Sequence, residues 1–222
     1  MFHKDFKRNP VQEKLCFACI TRLKSCVFNE FKIMVTKMMT EAWGKFAGWK
    51  VLGRFLASPN SSIHIKGLSK ELKVSPNTAQ SYMNLYEKSG MLLSENVANS
   101  RQFRLNNDDF LAAEMKRLWM LMQLKEARFA EKMAEKNPSM STLALFGAFA
   151  KGNYTEHSDI DILAISQSKI DDAPVKELEK RLGKQADMTT MAPAKWREMA
   201  KSGNKFAVSV SKANILLWGS EL

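Results

Sequence analysis

Apolar positions recur at three- and four-residue spacing through Phe46, Trp49, Val51, Leu52, Phe55 and Leu56, and the pattern stops before Ser58-Pro59-Asn60. That period is the buried stripe of a helix. Ile63-His64-Ile65 reads as a short strand and Gly67 to Leu72 as a second helix. In Val74-Ser75-Pro76, Ser75 is placed as the N-cap and Pro76 as the first residue of a third helix. Ala79, Met83, Leu85 and Tyr86 would give that helix its buried side, and Ser89-Gly90 closes it. Met91–Glu95 and Arg101–Leu105 read as two strands joined by Asn96–Ser100. Asn107-Asp108-Asp109 then caps a single long helix to about Lys136, with Leu111, Met115, Leu118, Met122, Phe129 and Met133 down one face. Asn137-Pro138-Ser139 ends it.

Beyond this point the period shortens. Thr142 to Phe146 is an apolar run of strand type, broken by Gly147-Ala148 where a strand would turn into a helix. Ten residues separate Ala148 from Asp159. In Asp159-Ile160-Asp161-Ile162, alternation sends the isoleucines to one side of a strand and both aspartates to the other. Asp171-Asp172-Ala173-Pro174 starts a helix through Val175, Leu178 and Leu182, Gln185–Met191 is a further strand, and Pro193 starts a helix through Trp196, Met199 and Ala200. This order, closed by Asn214–Gly219 as a last strand, fits an α/β two-layer arrangement with a small mixed sheet.

Two carboxylates at i and i+2 on a strand suit a hard cation such as Mg²⁺, which takes oxygen ligands and shares its shell with substrate phosphates. The Gly147 turn leads into a helix N-terminus, where unpaired N–H groups favour phosphate oxygens. A third carboxylate is expected on a neighbouring strand, and Asp187 is placed to act there as a general base.

Gly147-Ala148, the ten-residue gap, Asp159-x-Asp161 and then Asp187 together resemble the nucleotidyltransferase fold of the DNA polymerase beta superfamily, and within it the minimal nucleotidyltransferases of bacteria and archaea. The resemblance runs from about Ser139 to the C-terminus. It implies Mg²⁺ or Mn²⁺ held by Asp159, Asp161 and Asp187, an NTP, with ATP the first choice, as substrate, and transfer of NMP to a hydroxyl on a protein, a small molecule or a nucleic-acid end. Some relatives are antitoxins that nucleotidylate a partner toxin. Gly147, Ala148, Lys151 and Ser158 fall at the implied nucleotide-binding positions, although Ser158 taken alone reads as a turn residue. Ala148 departs from the pattern, which usually has Ser; one hydrogen bond of about 0.5–1.5 kcal/mol net is lost. His157 has no second ligand nearby.

The upstream helix–helix–helix–hairpin order resembles the winged helix-turn-helix domains of archaeal and bacterial DNA-binding proteins. That resemblance makes the third helix the recognition helix, with Asn77, Thr78, Gln80, Ser81 and Asn84 on its free face. Arg101 and Arg104 in the wing, with Lys66, Lys70 and Lys73, would meet backbone phosphates. Winged helices also serve as protein-interaction or dimerisation modules.

Charge sharpens the division. The chain of 222 residues carries a formal +11, and Lys/Arg against Asp/Glu count 8 to 3 over 1–40, 9 to 4 over 41–107, 6 to 6 over 108–137 and 11 to 10 over 138–222. A basic first module beside a near-neutral second one points to a polyanionic partner for the first. No apolar run approaches the ~20 residues of a membrane span and no signal-peptide h-region opens the chain, so a cytoplasmic protein is expected. Cys16, Cys19 and Cys26 do not make a zinc site, which needs four ligands when only the distant His3 is at hand. Residues 1–38 are otherwise unassigned; Met34, Met38 and Met39 allow a later start, and 11–38 has the pattern of an amphipathic helix.

The sequence therefore predicts an unassigned segment over 1–38, a winged helix-turn-helix over 39–107, a linker helix over 108–137 with a possible dimer seam, and a nucleotidyltransferase fold over 138–222. A rival reading is a DNA-binding or antitoxin-like regulator whose second domain senses nucleotide or docks a partner without catalysis.

Overall fold

Helix α1 (Ala47–Ala57) buries Val51, Leu52, Phe55 and Leu56, the stripe its period predicts. The computed structural model describes residues 45–222, which make one compact unit. The expectations for residues 1–38, zinc included, lie outside the described residues.

A two-residue strand β1 (Ile63–His64) leads at once into α2 (Ile65–Leu72). Helix α3 (Pro76–Lys88) starts as expected: the Ser75 hydroxyl accepts from the Thr78 amide at 3.0 Å, and Pro76 opens the first turn. Ala79 and Met83 are buried, but Leu85 is 56% exposed and leaves the expected core. Strands β2 (Leu92–Val97) and β3 (Ser100–Leu105) pair over their whole length, Leu92 opposite Leu105 and Val97 opposite Ser100. The expected five-residue connection is thus a two-residue turn, with Ala98 at φ 51°. With β1 these strands form a sheet in the order β1-β3-β2.

The single long helix of the sequence reading is two helices, α4 (Phe110–Glu126) and α5 (Phe129–Lys136), parted at Arg128, whose φ of 52° is incompatible with a continuous α-helix. Phe129 and Met133 of α5 are buried as expected, but within α4 the stripe is displaced. Leu111 and Leu118 are exposed, and the buried line is Ala112, Lys116, Met120 and Leu124. The reason is that α4 is held between two cores: Ala112 packs with the α1–α3 cluster, whereas Met120 and Leu124 pack with the second sheet. A helix contacted on more than one side shows no single clean stripe.

The second sheet has the order β6-β5-β4-β7, from β4 (Met140–Leu145), β5 (Ile160–Ser166), β6 (Ala186–Met191) and β7 (Ile215–Gly219). β5 and β6 are parallel; β4 runs antiparallel to both β5 and β7. It is the small mixed sheet expected. The crossover helix α7 (Ala173–Leu182) joins β5 to β6 and packs with α5 on one face, where Leu143, Leu145, Ile160 and Ile162 are buried. On the other face α8 (Pro193–Lys201) and α9 (Lys205–Lys212) cover Leu163 and Ile165 through Trp196, Ala207 and Val210. Helix α9 was not read from sequence, although Asn204 caps it by accepting from the Phe206 amide at 2.9 Å.

Tyr154 joins the two cores. Fully buried, it stacks on Phe149 with centroids 4.1 Å apart, and its hydroxyl donates to the Leu56 carbonyl at the end of α1 at 3.0 Å. Lys116 lies over its ring, with the ammonium on the Tyr154 carbonyl at 3.1 Å and on the Asn107 side chain at 3.2 Å. Burial lowers the proton affinity of Lys116. Among the described residues no helix is long and apolar enough to cross a membrane.

Candidate active site

Alternation along β5 puts Ile160 and Ile162 in the core and turns Asp161 to the face shared with Leu163 and Ile165. Asp159 stands just ahead of the strand. In the parallel β5–β6 ladder Asp161 lies opposite Asp187, so the second carboxylate of Asp159-x-Asp161 meets the later one across one strand spacing. Adjacent strands lie only about 4.8 Å apart. Asp159 and Asp187 are exposed and Asp161 is half-buried. Burial raises the proton affinity of Asp161 first, the neighbouring Asp187 raises it further and Asp159 adds to this, against the opposing effect of the Ala148 amide. Among the described residues, none of the three carboxylates forms an ion pair with a lysine or arginine.

The glycine turn is built against this cluster. Gly147 has φ 68°, and a Cβ placed on it would stand 1.8 Å from the Asp161 carboxylate oxygen. Only glycine lets the turn approach so closely. Phe146 precedes it, donates its amide to the Asp161 carbonyl at 3.0 Å and packs edge-on against Phe206 of α9. The helix that follows, α6 (Gly147–Lys151), has five residues and ends at Gly152, where a Cβ would meet the Ala113 carbonyl of α4 at 2.2 Å. Lys151 is exposed at the end of α6. The Ser158 hydroxyl, at an implied nucleotide-binding position, accepts from the Thr155 amide at 2.9 Å and so pins the loop ahead of Asp159 as a turn residue does.

Three groups around this loop escaped the sequence reading. Lys184 donates to the Glu156 carbonyl at 2.8 Å, and the Asn60 amide, from the loop after α1, donates to the Glu156 carboxylate at 3.2 Å. Burial lowers the proton affinity of Lys184, and Glu156 and Asp159 partly restore it. Neither Lys184 nor Asn60 belongs to a periodic pattern, so no sequence signal marks them.

Among the described residues no group of three or more His, Cys, Asp or Glu converges as a ready-made metal cage. The donors present are nonetheless all oxygen, Asp161 and Asp187 lie side by side on neighbouring strands, and among the described residues none of the three is locked in an ion pair. Such a partial site fits Mg²⁺, which is commonly held by one or two carboxylates with water and substrate phosphate completing the shell.

In the upstream module Asn77, Gln80, Ser81 and Asn84 are exposed on one side of α3. Thr78 is partly withdrawn, its hydroxyl 2.7 Å from that of the capping Ser75. Arg101 is engaged within the chain: it grips both carboxylate oxygens of Glu87 at 2.6 Å and lies over the Phe103 ring at 4.9 Å. Arg104 is exposed.

Residues 126–209 match the family model of the nucleotidyltransferase domain. The match takes in β4, the glycine turn and all three carboxylates. Among solved structures, a toxin–antitoxin complex with AMP-PNP is 20% identical, with 43% of this chain and 74% of that chain covered at a TM-score of 0.33. A structure described as a nucleotidyltransferase from Sulfolobus solfataricus is 21% identical, covering 50% and 89% at 0.30. The tri-AMPylated HEPN toxin of Shewanella oneidensis in complex with MNT antitoxin is 19% identical, covering 44% and 73% at 0.27. No curated protein matches the sequence.

Proposed function

We propose that the chain is a divalent-metal-dependent nucleotidyltransferase that transfers NMP from an NTP, ATP being the first choice, to an acceptor hydroxyl. The observation that carries the reading is the in-register pair Asp161–Asp187, with Asp159 beside it, at a glycine turn inside the region that matches the nucleotidyltransferase domain model. Asp159 and Asp161 would hold the cation, and Gly147 allows the main chain to come close to the phosphates. Asp187, exposed at the start of β6, would take the proton of the acceptor hydroxyl as its oxygen bonds to the α-phosphorus and the bond to the leaving pyrophosphate breaks. When bound, the cation offsets charge on the phosphates. Incubating the protein with α-labelled NTPs, Mg²⁺ and a lysate tests the reading: a labelled product from wild type and none from Asp161→Asn is expected, and equal label from both would reject it.

The first module is proposed to be a winged helix that docks on duplex DNA, supported by the exposed Asn77, Gln80, Ser81, Asn84 and Arg104 on a basic stretch of chain. A partner protein as acceptor and a homodimer remain compatible roles for the same molecule. The rival of a nucleotide-sensing regulator draws support from Ala148, and it predicts nucleotide binding without consumption.

A further inference from the structure

Lys184 bridges the three pieces that carry the site. It follows the αL cap of α7 at Gly183 and precedes by three residues Asp187 at the start of β6. Its ammonium donates to the carbonyl of Glu156, three residues ahead of Asp159, and lies 5.7 Å from the Phe149 ring of α6, the helix opened by Gly147. Next to it the Gln185 carbonyl accepts from the Ile160 amide at 2.9 Å, which sets the start of the β5–β6 register. The Glu156 loop is gripped on its other side by the Asn60 amide, and Ser158 closes it internally. Asp161 and Asp187 are set by the ladder, but Asp159 lies outside it and depends on this loop for its position.

We infer that Lys184 is a positioning residue that ties the Glu156 loop to the head of β6 and so fixes Asp159 relative to the Asp161–Asp187 pair for cation and nucleotide binding. The inference rests on the nucleotidyltransferase reading. A strut of this kind has a consequence opposite in sign to that of a mere nearby charge. Removing a positive charge beside carboxylates strengthens their hold on a cation, whereas releasing a carboxylate from its place weakens it. Losses of about 10–100-fold in metal affinity are typical when a group that orients a ligand is removed.

Calorimetric titration of the full chain with a non-hydrolysable ATP analogue across a Mg²⁺ series separates these cases, with thermal melting as a control of folding. Lys184→Met is expected to raise the Mg²⁺ concentration needed for half-maximal analogue binding by about tenfold, and Lys184→Arg, which keeps a donor and the charge, to restore most of it. A lowered Mg²⁺ requirement in Lys184→Met would overturn the inference in favour of a simple charge effect. An unchanged requirement with weaker analogue affinity would overturn it in favour of a direct phosphate contact. Absence of analogue binding by wild type would instead remove the nucleotidyltransferase reading, and the inference with it.

Discussion

At the scale of single residues the site combines one steric and one electrostatic constraint. Gly147→Ala must place a methyl group where the Asp161 carboxylate stands and must hold φ 68°, which costs a non-glycine residue about 1–2 kcal/mol even without a clash. A stability loss of at least about 2 kcal/mol in urea denaturation is expected, together with loss of NMP transfer. The electrostatic constraint acts in the other direction. Because the proton affinity of Asp161 is raised in the folded chain, the native state holds its proton at pH values where the unfolded chain has released it. Stability therefore falls as pH rises from the ordinary carboxylate value through that of the folded state, and the cost is fully present above it. Asp161→Asn, whose side-chain oxygen still accepts from the Ala148 amide, is expected to melt higher than wild type at pH 7. That difference should shrink towards zero as melts are taken down to about pH 3.5. A variant melting lower at pH 7 would show that the carboxylate is not under strain.

Elements fold here on local signals that tertiary packing then re-aims. Helix α3 shows the local part: Ser75 caps it and Pro76 starts it, so Ser75→Ala is expected to cost about 1 kcal/mol in chemical denaturation with little effect on nucleotide binding. Helix α4 shows the other part. Its buried line includes Lys116, whose ammonium is satisfied by the Tyr154 carbonyl and the Asn107 side chain rather than by a carboxylate. Helix and hairpin also meet through Arg101, which Glu87 of α3 holds against β3. An arginine already holding a carboxylate contributes little to a phosphate contact. Double replacement of Arg101 and Arg104 would flatten the log–log salt slope of DNA binding by about two if both were free; with Arg101 engaged, Arg104→Ala should account for about one unit and Arg101→Ala for much less. Fluorescence anisotropy of the full chain on duplex DNA across a salt series measures this. Equal slopes for both single variants would mean that Arg101 leaves Glu87 on binding.

For the whole molecule, the decisive feature is that the α1–α3 cluster and the second sheet are fastened together rather than strung on a linker. The Tyr154 hydroxyl reaches the Leu56 carbonyl, the Asn60 amide reaches Glu156, and Gly152 admits the main chain of α4. Tyr154→Phe keeps the ring stack on Phe149 but strands a buried carbonyl, at a cost of about 1–3 kcal/mol. If the two cores unfold as one, denaturation followed by tryptophan fluorescence and by far-UV dichroism should give coincident curves in both proteins, with the variant's midpoint lower. Separated curves in wild type would show that the fastening contributes little.

Most of the elements, the mixed sheet and the placing of Asp161 and Asp187 on neighbouring strands were legible in the sequence because each depends on a short-range rule. A helix stripe repeats within four residues, a strand face within two, and caps and glycine turns act on their own neighbours. Thus Ser75-Pro76, Gly147 and Asp159-x-Asp161 stood out, and Asp187 is the third carboxylate expected on a neighbouring strand. What the sequence did not reveal depends on partners far along the chain. Which face of α4 is buried was decided by two cores closing on it. The engagement of Arg101 by Glu87, and of Glu156 by Lys184 and Asn60, joins residues 14, 28 and 96 positions apart. Such contacts carry no periodicity, because only the folded backbone brings the groups within hydrogen-bonding distance.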